Sequence, residues 1–221
     1  MDLALKPEHQ AFADEVRAFA RDNLSPATRE KTFSGKHYDK DDHVVWQKAL
    51  GKKGWLAYTW PKKFGGPGFD VTQRFLFENV LAEEGAPRII PFGVKMVGPV
   101  IYTFGNDEQR ERILPGVLSG EVVGAMGMTE PGAGTDVLGM QTTAVRRGDT
   151  YVLDGRKIFI TNGYESGAVL TYAKVDGRIT AFVVERSFPG FSTGEPIKNT
   201  GMRASTMCEL IFDQCEVPVA N

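Results

Sequence analysis

The chain has 221 residues, 42% hydrophobic and 24% charged, which suits one large or two small domains with a real core and excludes global disorder. A formal net charge of −2 leaves no basic excess to neutralise a phosphate backbone, so nucleic acid is not an expected partner. No apolar run approaches the roughly 18–20 residues that cross a bilayer, residues 1–7 fit neither a secretory signal nor an Arg-rich transit peptide, and Cys208 and Cys215 lie outside any Cys-x-x-Cys spacing, so no membrane span and a cytoplasmic location are expected.

Pro7 and Glu8 open a helical pattern in which Phe12, Val16 and Phe19 recur at intervals of three and four, predicting an amphipathic helix over 7–23. Residues 24–41 are polar and broken by Ser25-Pro26 and Ser34-Gly35, and read as a loop or frayed helix. His37 and His43 flank Asp39, Asp41 and Asp42. A solvated turn, not a metal site, is expected there. Asp41 or Asp42 caps a second helix carrying Val45, Trp46, Ala49 and Leu50, which stops at Gly51 or Gly54. Residues 58–69 are dense in helix breakers and predict a loop. Asp70 opens a helix to about Glu84, residues 88–105 suggest a buried helix, and Asn106 or Asp107 caps another with Ile113, Leu114, Val117 and Leu118 inward. Past Gly120 come short runs rich in Val, Ile, Thr, Tyr and Phe at 121–128, 140–146, 150–160, 168–174, 179–185 and 207–213. Asp-Gly and Pro-Gly turns separate them, so antiparallel strands in a sheet, sandwich or barrel are expected. Helices first and strands second means α+β, with domains over 1–120 and 121–221.

Three stretches carry chemistry. In Met126-Gly127-Met128-Thr129-Glu130-Pro131-Gly132-Ala133-Gly134-Thr135-Asp136, Gly132 and Gly134 can take positive φ and let the backbone approach a ligand. Consecutive amides in such a turn receive anions, and Thr129 and Thr135 add hydroxyls. It is neither a P-loop nor a dinucleotide fingerprint; a merely Gly-rich β-turn has the same composition. In Lys157-Ile158-Phe159-Ile160-Thr161-Asn162-Gly163, Phe159 and Thr161 share a strand face, where an aromatic and a hydroxyl can stack on a ring and bond its edge. An ordinary edge strand alternates in the same way. Gly201-Met202-Arg203-Ala204-Ser205 places an arginine ahead of a strand, as a solvated loop residue or an anion partner.

In this order, and with Trp60-Pro61, Gly65-Gly66, Pro189-Gly190-Phe191 and Cys208-Glu209-Leu210-Ile211-Phe212, these stretches resemble the acyl-CoA dehydrogenase family over essentially the whole chain. The resemblance implies an N-terminal all-α helical domain followed by an antiparallel β-barrel domain. It implies FAD as cofactor, held by Met126, Met128, Thr129, Gly134, Thr135, Phe159, Ile160 and Thr161. Thr129 would bond the polar edge of the flavin, Thr161 would lie next to flavin N5, and Phe159 stands where the family has Trp. Thr135, Tyr172 and Ala173 would contact the CoA substrate, and Arg203 would be structural first. The implied reaction is α,β-dehydrogenation of an acyl-CoA thioester, with a base taking the α-proton and the β-hydride passing to flavin N5. The implied acceptor is an electron-transfer flavoprotein and the implied assembly a homo- or hetero-oligomer.

The sequence stops where family members run on into a helical bundle that carries the catalytic glutamate. No catalytic base is therefore expected among these residues, and poor or no flavin binding and association through exposed apolar surface are expected for the chain alone. Glu130 is not a substitute base; in its turn it should accept backbone or Lys/Arg donors. The first half looks closest to a pimeloyl-CoA type and the barrel to an isovaleryl-CoA type, which leaves the acyl chain unread. Other readings are a non-catalytic flavin- or CoA-binding partner subunit, an acyl-CoA oxidase or flavin monooxygenase relative, and a cofactor-free domain pair.

Overall fold

The computed structural model describes residues 4–36, 38–121, 124–201 and 206–221. His37 and the Met202-Arg203-Ala204-Ser205 stretch lie outside the described residues. Residues 1–90 with 118–121 form one compact unit, and residues 91–117 with 122–221 form another.

The first unit is helical. Helix α1 (Pro7–Asn23) has Pro in its first turn and buries Phe12, Val16 and Ala20. The stretch expected as loop or frayed helix forms α2 (Pro26–Ser34). Here Ser25-Pro26 is a start signal: the Ser25 hydroxyl accepts from the Thr28 amide at 3.0 Å, and Pro26 occupies a position whose N–H needs no partner. Helix α3 (Lys40–Lys53) begins earlier than expected, at an Asp39 cap, because the Asp42 carboxylate turns back to accept from the Asp39 amide at 2.8 Å. It ends at Gly54, one of the two expected stops, with φ +75°. Helix α4 (Val71–Glu83) is capped by Asp70 and Gln73, each accepting from the other's amide at 2.8 and 3.0 Å.

The breaker-rich segment 58–69 is irregular apart from a 3₁₀ turn at Lys62–Phe64, yet it is not a solvated loop: Tyr58, Trp60 and Phe69 are buried. Phe69 meets Phe12 edge-on at 4.8 Å between centroids, and Trp55 and Phe77 complete the aromatic cluster. Glu84 is buried against Arg21, which donates twice at 3.0 and 2.9 Å, and Arg29 at 3.3 Å.

The second unit opens with a π-helix over Phe92–Val97, where a buried helix was expected, and continues into α5 (Gly98–Phe104). Helix α6 (Asp107–Ser119) follows an Asn106 cap that exchanges bonds with Gln109 at 2.8 and 3.0 Å. The sheet contains β1 (Gly124–Gly127), β2 (Thr143–Arg147), β3 (Thr150–Thr161), β4 (Ala168–Val175), β5 (Arg178–Glu185), β6 (Phe191–Thr193) and β7 (Met207–Pro218). Its seven strands run in the order β1-β4-β2-β3-β7-β6, with β5 on β4, and curl as a half-barrel around one apolar cluster including Leu153, Ile160, Val169, Phe182, Leu210 and Phe212. The helical-then-β architecture is as expected. The pairing is not wholly antiparallel, since β4 runs parallel to β1 and, at Thr143, to β2. Within this unit Arg112 of α6 donates to Glu185 at 2.7 Å and to Asn221 Oδ1 at 2.9 Å. Cys208 and Cys215 are free thiols buried in β7. Among the described residues no helix is long and apolar enough to cross a membrane.

Candidate functional site

The loop leaving β1 is a tight turn fastened on two sides. Glu130 and Ala133 exchange backbone bonds at 3.0 and 3.1 Å, which puts Pro131 and Gly132 at the corner. The glycines do not behave as the composition suggests: neither Gly132 nor Gly134 adopts positive φ. A Cβ on either would meet nothing within 4 Å. The fold therefore does not require glycine here, and the two residues leave open space over the main chain. The amides of Gly134, Thr135 and Asp136 and the hydroxyls of Thr129 and Thr135 have no protein partner among the described residues. Met126, Met128 and Thr129 are half-buried, and Gly134 and Thr135 are exposed.

Strand β3 meets this loop directly, because the Ile158 amide donates to the Thr129 carbonyl at 2.9 Å. Against β7 the register shifts between Lys157, opposite Leu210, and Ile160, opposite Cys208, so β3 carries one extra residue there. Phe159 sits in this bulge with φ +58° and is 56% exposed. Ile160 points into the core at 3% exposure. Thr161 is half-buried, opposite Met207, and its hydroxyl has no protein partner among the described residues.

On β4, Thr171 donates its hydroxyl to the Gly127 carbonyl at 3.0 Å, fixing the end of β1. The next residue, Tyr172, is half-buried, and burial pushes its phenol up from the usual value. The side chain of Ala173 lies wholly within the apolar cluster. The structure thus joins Met128, Thr129 and the Phe159–Thr161 stretch at one loop–strand junction. The side chains of Ile160 and Ala173 belong to the core, so toward a ligand these two offer main chain only.

Sequence reasoning left the partners of Glu130 unnamed. Its carboxylate is buried and accepts from the Gln141 amide at 2.5 Å, the Thr142 amide at 3.0 Å, the Thr142 hydroxyl at 2.5 Å and the Lys157 ammonium at 2.8 Å. Lys157 has no exposed surface and also donates to the Met128 carbonyl at 3.4 Å. Burial alone would raise the Glu130 pKa, but the Gln141 amide, Lys157 and Thr142 outweigh it and hold the carboxyl below its ordinary value. The discoverable signal was a lone lysine flanked by Ile158, Phe159 and Ile160 in a strand.

The acyl-CoA dehydrogenase N-terminal domain model matches residues 6–121, and the acyl-CoA dehydrogenase middle domain model matches residues 125–215. The mitochondrial isovaleryl-CoA dehydrogenase of Pongo abelii is 35% identical over 226 residues, covering 98% of this chain and 53% of its own length. Among solved structures, the Tcur3481-Tcur3483 steroid ACAD superposes with a TM-score of 0.85 at 32% identity, over 100% of this chain and 58% of that one. A glutaryl-CoA dehydrogenase from Mycobacterium smegmatis, in complex with FADH2, superposes at 0.78 with 28% identity, over 98% of this chain and 55% of that one. The chain spans about half the length of these relatives.

Proposed function

Since the chain belongs to the acyl-CoA dehydrogenase family, we propose that it forms the flavin- and CoA-facing part of an FAD-dependent α,β-dehydrogenase of acyl-CoA thioesters. The observation that supports this reading is a set of donors without a protein partner among the described residues: the Thr129 and Thr161 hydroxyls where the loop meets β3, and the Thr135 hydroxyl and Gly134–Asp136 amides further along the loop, over glycines the fold itself does not need. That donor set fits a flavin, whose ring edge and phosphates present acceptors. When bound, FAD supplies the hydride acceptor.

In this reading Thr129 donates to the polar edge of the ring, Thr161 flanks its reactive centre, and the Gly134–Thr135 amides take phosphate oxygens. Met126 and Met128 line the apolar side. The exposed ring of Phe159 offers a stacking face but, unlike Trp, no N–H. Main chain at Ile160 completes the wall, and Thr135, Tyr172 and the backbone at Ala173 run along the CoA. The α-proton needs a base with a free lone pair and a raised pKa. Glu130 does not fit that role, being buried, tied to four donors and held below its usual pKa. We therefore assign the base to polypeptide outside these 221 residues, with an electron-transfer flavoprotein as acceptor and an oligomer as the working assembly.

The test is to add excess FAD to the chain, desalt it, and record the visible spectrum with a panel of acyl-CoA thioesters. Weakly held flavin that no thioester bleaches is the expected result. Bleaching would overturn the assignment of the base, and failure to retain any flavin would mean that polypeptide outside these 221 residues is needed even to hold it. The structural engagement of Glu130 also favours a second reading, a flavin- or CoA-binding subunit that works beside a catalytic partner. Bleaching restored only by adding such a partner would select it.

A further inference from the structure

The candidate site is built from two pieces of chain far apart in sequence, the loop after β1 and the bulged end of β3. Among the described residues, the backbone hydrogen bond that joins them at this point is Ile158 to Thr129, at 2.9 Å. Beneath that bond lies an ion pair with almost no access to water: Lys157 is 0% and Glu130 6% exposed. The ammonium comes from β3, and its two acceptors, Glu130 Oε1 and the Met128 carbonyl, flank Thr129 in the loop. The carboxylate also takes the Thr142 amide and hydroxyl, and the Thr142 carbonyl accepts from the Lys174 amide of β4 at 2.9 Å.

We infer that Glu130 and Lys157 are positioning residues that lock the Thr129 loop to the Phe159–Thr161 strand, so that both halves of the site are presented as one rigid surface. Its functional consequence rests on the flavin reading above. A buried pair contributes little net stability, because desolvation offsets attraction, but it tolerates only one arrangement of its partners. An apolar contact would let the loop slide; four directional bonds on one carboxylate do not.

Hydrogen exchange on the whole 221-residue chain without flavin tests this at the Ile158 amide, with the Val183 amide of β5, bonded to the Asn221 carbonyl at 2.8 Å, as internal control. In Glu130→Gln, which keeps the shape and removes the charge, Ile158 should exchange at least tenfold faster while Val183 is unchanged. Retention of added FAD should fall at least tenfold. Unchanged exchange at Ile158, or equal acceleration at both amides, would overturn the inference.

If Glu130→Gln does not fold, Glu130→Gln/Lys157→Met carries the same test, since it leaves no unpaired charge. Fast exchange at Ile158 in a folded double variant supports the lock, and native protection there refutes it. If the unaltered chain retains no FAD but Ile158 still loosens in the variants, the lock stands without its flavin consequence.

Discussion

Replacing Gly155 by Ala should be among the most damaging small changes in the sheet, and its cost follows from two separate features. Gly155 sits at φ +149°, where a side chain is strained by about 1–3 kcal/mol. A Cβ there would also fall 2.4 Å from the Thr142 hydroxyl oxygen and 2.8 Å from its Cα, so main chain has to move. Overpacking of that kind costs about 1–3 kcal/mol. Displacing Thr142 would further weaken two bonds to a buried carboxylate. We expect a loss of about 3–5 kcal/mol from the sheet unit. Gly177→Ala is the matched control: its φ is +77°, but a Cβ meets nothing within 4 Å, so strain acts alone at about 1–2 kcal/mol. The assay is urea unfolding followed by far-UV circular dichroism. Trp46, Trp55 and Trp60 all belong to the helical unit, so tryptophan emission reports on that unit instead. If Gly155→Ala proves no more destabilising than Gly177→Ala, the argument from Thr142 is wrong.

Other consequences can be checked on the same material. Gly132→Ala and Gly134→Ala should leave the unfolding free energy within about 0.5 kcal/mol of native, since both sites are open and neither is left-handed, while lowering FAD retention; a matching loss of stability would contradict the open cradle. Glu130 has a folded pKa below its unfolded value near 4.3, so its contribution is complete above about that pH and is lost as pH falls through the folded value. The sheet transition of Glu130→Gln should accordingly fall less than that of the unaltered chain between about pH 5 and pH 2, and parallel titrations would refute this. Burial raises the Cys208 thiol and pushes Cys215 up to about 11, so neither should take iodoacetamide in the native chain, and both should after denaturation in guanidinium. A native adduct at either position would contradict their burial.

Much of the fold was legible because its signals are local. Asp70 and Gln73 announce a helix start within four residues, and the alternation Cys208, Leu210, Phe212 marks the inner face of β7. Ser25-Pro26 was misjudged because the same pair that interrupts a helix also begins one. The parallel pairing of β1 with β4 was not legible, since an alternating strand reads the same in either direction. The 58–69 segment was legible as irregular but not as buried: breakers set backbone shape, whereas Trp60 and Phe69 set where the segment lies. The uncommitted hydroxyls of Thr129, Thr135 and Thr161 stood out only as members of an ordered motif set, because nothing in a threonine's neighbours reveals whether its hydroxyl is already spent. The Glu130–Lys157 pair was the hardest to foresee. Simple alternation gives Lys157, Phe159 and Thr161 one face, and the bulge separates the first from the other two.

That bulge works like a change of reading frame. Before it, the odd-numbered position Lys157 faces the interior; after it, the even-numbered Ile160 does, and Phe159 is left outside. The information lies in the length of the segment as much as in its letters. Related chains could exchange Ile158 for another residue and keep its contribution, which is a main-chain amide. Losing one residue there would straighten the ladder with Lys157 and Ile160 still on the inner face, now two positions apart, and would abolish the kink that holds Phe159 at positive φ.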